Sequence, residues 1–173
     1  NIYAATKACQ SMIGSIYAKA YGMDIVMVRA FNHIGPAQIT QFVVADFCNQ
    51  AAQIEKGMKE AEIRVGNLAV KRDFTDVRDI VRAYELLAQK GVSGKIYNVG
   101  SGNAVLIEDI LKLIISKSKA EISVVVDKAR LRPADVPVIE ADISLIKADT
   151  GWEPSIPLEK TIEDTLDYWR NEI

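Results

Sequence analysis

Asp24-Ile25-Val26-Met27-Val28-Arg29-Ala30-Phe31 is the stretch on which the fold turns. It is β-rich and apolar almost without interruption. A strand with one wet face alternates; one without alternation reads as buried on both faces, as in a parallel sheet. Upstream, Ala5, Ala8, Met12, Ile16 and Ala20 recur at helical spacing, so residues 1–21 read as a helix. Gly22 stands where a C-terminal cap is expected. Downstream, Asn32 to Ile39 reads as a loop broken at Gly35-Pro36.

The alternation of helix and strand continues. Residues 42–56 read as a helix stopped by Gly57, 63–66 as a short strand, 67–70 as a turn and 71–74 as a second short strand. Thr75 or Asp76 caps the next helix, whose apolar face carries Val77, Ile80, Val81, Tyr84, Leu87 and Ala88. A strand is expected at 95–99, a tight turn at Gly100-Ser101-Gly102, a helix at 106–117 and a strand at 123–126. The segment 130–138 holds too much proline for a helix or central strand. A short helix at 143–150 ends at Gly151, and Pro157 opens a final helix. Trp152 and Trp169 read as packing for that helix. The class is therefore α/β. Pieces at about 1–35 and 75–100 form one lobe with a parallel sheet. Pieces at about 36–74 and 101–173 form a smaller mixed lobe, and the cleft between the lobes is the natural site.

Composition removes several functions. The chain has 173 residues and a net charge of −2, and Arg72, Arg78, Arg82, Arg130 and Arg132 lie scattered among acids. No basic surface for nucleic acid follows from that pattern. No apolar run reaches the roughly 18 residues of a membrane span. Cys9 and Cys48 both fall in apolar, helix-like stretches and are expected as buried thiols, which fits a reducing cytoplasm. With one histidine and no Cys/His cluster, no metal site is expected. There is no initiator Met and no strand ahead of the first helix, so the chain is expected to be the later part of a longer protein.

Tyr3 and Lys7 carry the chemistry. Four residues apart on a helix, they share a face. An ammonium beside a phenol stabilises the phenolate, and such a phenol can pass a proton to or from an oxygen.

Six stretches in order then carry a resemblance. They are Tyr3-x-x-x-Lys7, residues 28–36 (VRAFNHIGP), 65–84 (VGNLAVKRDFTDVRDIVRAY), 97–102 (YNVGSG), 132–142 (RPADVPVIEAD) and 150–170 (TGWEPSIPLEKTIEDTLDYWR). Together they resemble the extended short-chain dehydrogenase/reductases that act on nucleotide-diphosphate sugars, along the whole chain but over only the C-terminal half or so of such a protein. Within that group they look most like GDP-6-deoxy-mannose reductases, with GDP-mannose 4,6-dehydratases as near relatives.

The resemblance implies the C-terminal part of a Rossmann-type sheet with a substrate-binding lobe, a cofactor of NADP or NAD, and a GDP-sugar as substrate. Tyr3 is then the proton donor, and Lys7 bonds the nicotinamide ribose. Phe31, Asn32, His33 and Ile34 lie along the nicotinamide, and Asn32 also reaches the nucleotide-sugar. As the sole histidine, His33 either lines the site or fixes its loop. Phe42 and Val43 flank the substrate, and Asn67 with Leu68 contacts the base. Arg72 and Arg132 are candidates for the diphosphate, and Asp135 for ribose hydroxyls. Asp73, Asp76, Arg78 and Asp79 read as capping and ion pairing, with no chemistry assigned. Relatives commonly dimerise through the helix at 1–21. The Gly-rich phosphate loop and the third catalytic residue, Ser or Thr, are expected upstream. The implied reaction is reduction of a 4-keto-6-deoxy sugar. Dehydration or epimerisation on the same scaffold, or a non-catalytic binding or oligomerising fragment, are the alternatives.

Overall fold

A computed structural model describes residues 2–131 and 135–173. It is an α/β fold, as the alternation of elements requires. Helix α1 (Ile2–Tyr21) leads through residues 22–26 into β1 (Met27–Ala30) and then β2 (Asn32–Ile34). Next come α2 (Val43–Glu55), β3 (Glu62–Val65), β4 (Lys71–Asp76), α3 (Val77–Lys90) and β5 (Ile96–Val99). The remainder is β6 (Ala104–Leu106), α4 (Ile107–Lys117), β7 (Ser123–Val126), a 3-10 turn at Lys128–Arg130, β8 (Val138–Ile139), α5 (Ser144–Thr150) and α6 (Leu158–Glu172).

The opening strand divides its partners. β1 runs parallel to β5, with Met27 opposite Ile96 and Ala30 opposite Val99. At Phe31, whose N–H bonds Val99 O at 2.8 Å, the chain leaves β5. β2 then runs parallel to β4, with His33 opposite Thr75. The run at 32–39, expected as loop, therefore begins as strand. Burial differs too: Met27 and Val28 are half-buried, and Arg29 and Ala30 are exposed, so this strand is not covered on both faces. β4 carries β6 antiparallel on its other edge and β8 parallel to Lys71–Arg72, while β3 and β7 form a separate parallel pair.

Two apolar cores form. The first joins α2, α4 and α6 to β3 and β4 through Phe47, Ile63, Phe74, Ile110 and Leu166. The second joins α3, α5 and β5 through Ile80, Leu87, Tyr97, Ile146 and Trp152. Trp152 thus packs under α3, its indole N–H donating to Asp79 O at 3.1 Å, and not against the terminal helix as expected. Trp169 does pack against the first core.

Helix ends follow local chemistry. The Asp76 carboxylate accepts the Arg78 N–H at 2.8 Å and caps α3. Gly151, at φ 75°, closes α5 in the left-handed conformation that a side chain would oppose.

Candidate functional site

α1 rests on β1 through its small residues. A Cβ at Gly14 would stand 2.6 Å from Met27 Sδ, so only glycine admits this approach without moving Met27. The short connection reverses the chain between helix and strand. Counted from the Gly14–Met27 contact, the helix back to Tyr3 and the strand on to Asn32 each cover about 16 Å. The carboxyl end of the strand is the edge where open α/β sheets hold ligands. Tyr3 and Lys7 share one face of α1. Lys7 Nζ is 5.8 Å from the Tyr3 ring centroid and donates to Gln10 Oε1 at 3.2 Å. Both side chains are exposed.

Asn32 and His33 are exposed on β2, and Ile34 is buried in the first core. His33 Nδ1 lies 3.1 Å from Phe31 O. A carbonyl only accepts, so Nδ1 is the donor in this contact. Gln38, unremarked in the sequence, supports the same residue: its Nε2 donates to His33 O at 2.9 Å. This is achieved at a cost. Ala37 sits at φ 65°, which costs an L-residue about 1–2 kcal/mol. Among the described residues Gln38 Oε1 is buried without a hydrogen-bond partner, which costs about 1–3 kcal/mol. The bond to His33 returns only about 1 kcal/mol. Phe42 then stands exposed at the N-cap of α2 with Val43 half-buried behind it.

Around β4 the predicted residues meet partners of their own. The Arg72 guanidinium pairs with Asp135 and donates to Lys71 O and Val136 O, each at 2.7 Å. Arg72 and Asp135 therefore come together, in a pairing that sequence reasoning did not expect. Arg132 lies outside the described residues. Asn67 Oδ1 accepts the Ala69 N–H at 3.0 Å and so closes its own turn, and Leu68 packs on the first core.

The acids of the charge run act as clamps. Asp73 is 0% exposed. Its Oδ1 accepts from Ser101 N and Oγ at 2.7 and 2.8 Å, and its Oδ2 from Gly102 N and Ala141 N at 2.9 and 3.0 Å. Burial opposes ionisation of Asp76, but the bonds from Arg78 and Thr161 outweigh it and hold the carboxyl below its usual range. Asp79 behaves alike: burial is overcome by Arg82 and by the backbone N–H groups of Ile156 and Ser155. These three acids tie the turn at 100–102, the start of α6 and the loop at 153–156 to β4 and α3. The expected capping and ion pairing are present, with a burial that spacing did not signal.

Two concavities open elsewhere. One, of about 550 Å³, is lined by Ser101, Gly102, Glu140, Asp142 and Lys147 among others. The other, of about 240 Å³, lies beside β6 and α4. Neither includes Tyr3, Lys7, Asn32 or Arg72. Among the described residues no group of three or more His, Cys, Asp or Glu side chains is placed to hold a metal ion, and no helix is long and apolar enough to cross a membrane. Cys48 is buried, which pushes its thiol up to about 12, whereas Cys9 is exposed, contrary to expectation.

Comparison with known proteins identifies the family. Residues 1–165 match the family model described as GDP-mannose 4,6 dehydratase. GDP-6-deoxy-D-mannose reductase of Pseudomonas aeruginosa is 31% identical over 173 residues, covering 100% of this chain and 57% of the reductase. UDP-glucuronate 4-epimerase of Thermodesulfobacterium geofontis is 32% identical over 177 residues, covering 99% of this chain and 51% of the epimerase. The structure of RMD from Pseudomonas aeruginosa complexed with NADPH superposes with a TM-score of 0.94 at 30% identity, over 100% of this chain and 57% of that one. The chain thus spans about half the length of the curated relatives it matches.

Proposed function

The chain belongs to the GDP-mannose 4,6 dehydratase family, and from that premise we propose that the complete protein reduces a nucleotide-diphosphate 4-keto-6-deoxy sugar. GDP-4-keto-6-deoxy-mannose is the substrate and GDP-rhamnose the product. A bound NADPH or NADH supplies the hydride. The observation that carries the proposal is the Tyr3–Lys7 pair on one face of α1, together with Asn32 and His33 exposed on β2. An ammonium, a phenol and polar strand-end groups suit the nicotinamide end of a dinucleotide, so the residues present fit that cofactor.

Tyr3 Oη delivers a proton to the C4 oxygen of the sugar as charge develops there. Lys7 stabilises the phenolate left behind and bonds the nicotinamide ribose. The backbone at Phe31–Ile34 holds the ring, Asn32 reaches the sugar, His33 lines the site or fixes its loop, and Phe42 and Val43 close the flank of the sugar. Arg72 and Arg132 take the diphosphate, Asp135 the ribose hydroxyls, and Asn67–Leu68 the base. Binding energy from these remote groups positions the ketone. The two-lobe division, with the site in the cleft, and a homodimer through α1 belong to the same proposal.

Support for reduction comes from the match to the reductase along all 173 residues at 31% identity, while the epimerase at 32% identity keeps epimerisation as the alternative. The test uses the complete protein. It is expected to consume NADPH with the 4-keto sugar. Tyr3→Phe is expected to lose roughly 10²–10⁴ in turnover with little change in substrate affinity, the loss typical of a missing general acid. A Tyr3→Phe enzyme that keeps more than about a tenth of the rate would remove Tyr3 as the donor. Conversion of GDP-mannose without net NADPH use would favour dehydration.

A further inference from the structure

We infer that Gln38 is a positioning residue for the reaction proposed above, holding the His33 peptide in place without touching a ligand. The inference rests on the reading of the β2 edge as the ligand-binding edge. The bond from Gln38 Nε2 to His33 O, at 2.9 Å, fixes which way the amide faces, because a carbonyl needs a donor. That orientation turns Oε1 inward, where it is buried without a hydrogen-bond partner among the described residues. The turn that brings Gln38 back under β2 carries Ala37 at φ 65°, the one non-glycine residue at positive φ among those described. The same turn is wedged against α3: a Cβ on Gly35 would stand 2.8 Å from Val77 Cγ1. Its own closing bond, Gln38 N to Gly35 O, is long at 3.4 Å.

The turn therefore carries a strained residue and an orphaned amide oxygen, and obtains one hydrogen bond in exchange. Strain of this kind persists at sites where geometry matters more than stability. What the bond holds is the peptide between His33 and Ile34, next to Asn32 on the edge read above as ligand-binding. A shift of that edge would move the ligands relative to the proton donor.

Gln38→Leu and Gln38→Glu in the complete protein test this, beside Tyr3→Phe. Leucine removes the orphaned oxygen together with the donor; the glutamate carboxylate keeps the shape but cannot donate to His33 O. Both variants are expected to lose about tenfold or more in kcat, the scale on which small misplacements act, with KM for the nucleotide-sugar changed less than kcat. Gln38→Leu is expected to melt no lower than the parent. A Gln38→Leu enzyme with the parent's kcat overturns the inference. So does one that fails to fold, or whose activity loss tracks a lowered melting midpoint, because Gln38 is then only a structural strut. Loss in Tyr3→Phe without loss in Gln38→Leu removes the role of Gln38 alone. Loss in Gln38→Leu without loss in Tyr3→Phe removes the catalytic assignment of Tyr3 and leaves Gln38 standing.

Discussion

Asp73 shows what one residue does here. Its carboxylate has no cation beside it among its hydrogen-bond partners; it is held by three backbone N–H groups and the Ser101 hydroxyl. An anion suits that cage because every partner donates. Asp73→Asn would turn an NH₂ group toward two donors at one of the two oxygen positions. The expected loss is about 2–4 kcal/mol, from broken bonds and newly opposed donors. For a protein of this size or larger, that lowers the melting midpoint by roughly 5–15 °C, readable by calorimetry. An unchanged midpoint would mean that the carboxylate does not hold the turn at 100–102. The chain's order shows Asp73 only as one acid in a charged run. Its burial depends on donors that arrive from 28 and 68 residues away, and no local pattern announces them.

At the scale of elements, ion pairs tie the helices of the first core together, Arg170–Glu55 among them. Arg170 on α6 reaches Glu55 at the end of α2 with two bonds of 2.8 Å and also donates to Lys117 O, where α4 ends, at 2.8 Å. The Arg170 side chain, helped by the Lys119 N–H and the Ser118 hydroxyl, lowers the Glu55 carboxyl to about 2 against the opposing effect of burial. A carboxylate lowered in this way stabilises the fold above its unfolded value of 4.5, and the contribution fades as pH falls toward about 2. Glu55→Gln should therefore be less stable than the parent by about 1.5–3 kcal/mol at pH 7, the value typical of hydrogen bonds to a charged group. Urea unfolding from pH 7 down to about 2.5 should show the gap narrowing below about 4.5, where an ordinary glutamate protonates. A gap that stays constant with pH would rule out the charge as its source. Helices of this core were legible because eleven or more residues display a period. β6 and β8, with three and two residues, are too short to display one and form only because β4 lies beside them.

At the scale of the whole molecule, α1 is a 20-residue helix without one buried residue. Ile2, Met12, Ile13, Ile16, Tyr17 and Tyr21 are all exposed. Apolar surface of this extent normally meets a partner. The 173-residue chain expressed by itself is expected to self-associate, and light scattering over a range of concentrations reads the result. A monodisperse monomer would show that α1 is stable against water. Sequence by itself determined the α/β class, the order of its helices and main strands, the cap at Asp76 and the spacing of Tyr3 and Lys7. It also carried the six stretches by which the family is recognised. All of these are local: they depend on periods, caps and neighbours within a few residues. Only the tertiary structure decided that the opening strand changes partner at Phe31, that Arg72 pairs with Asp135, that Cys9 is exposed and that Gln38 holds His33. Those outcomes rest on which surfaces meet across tens of residues, and contact and burial between distant segments are set by packing, which no short stretch of sequence contains.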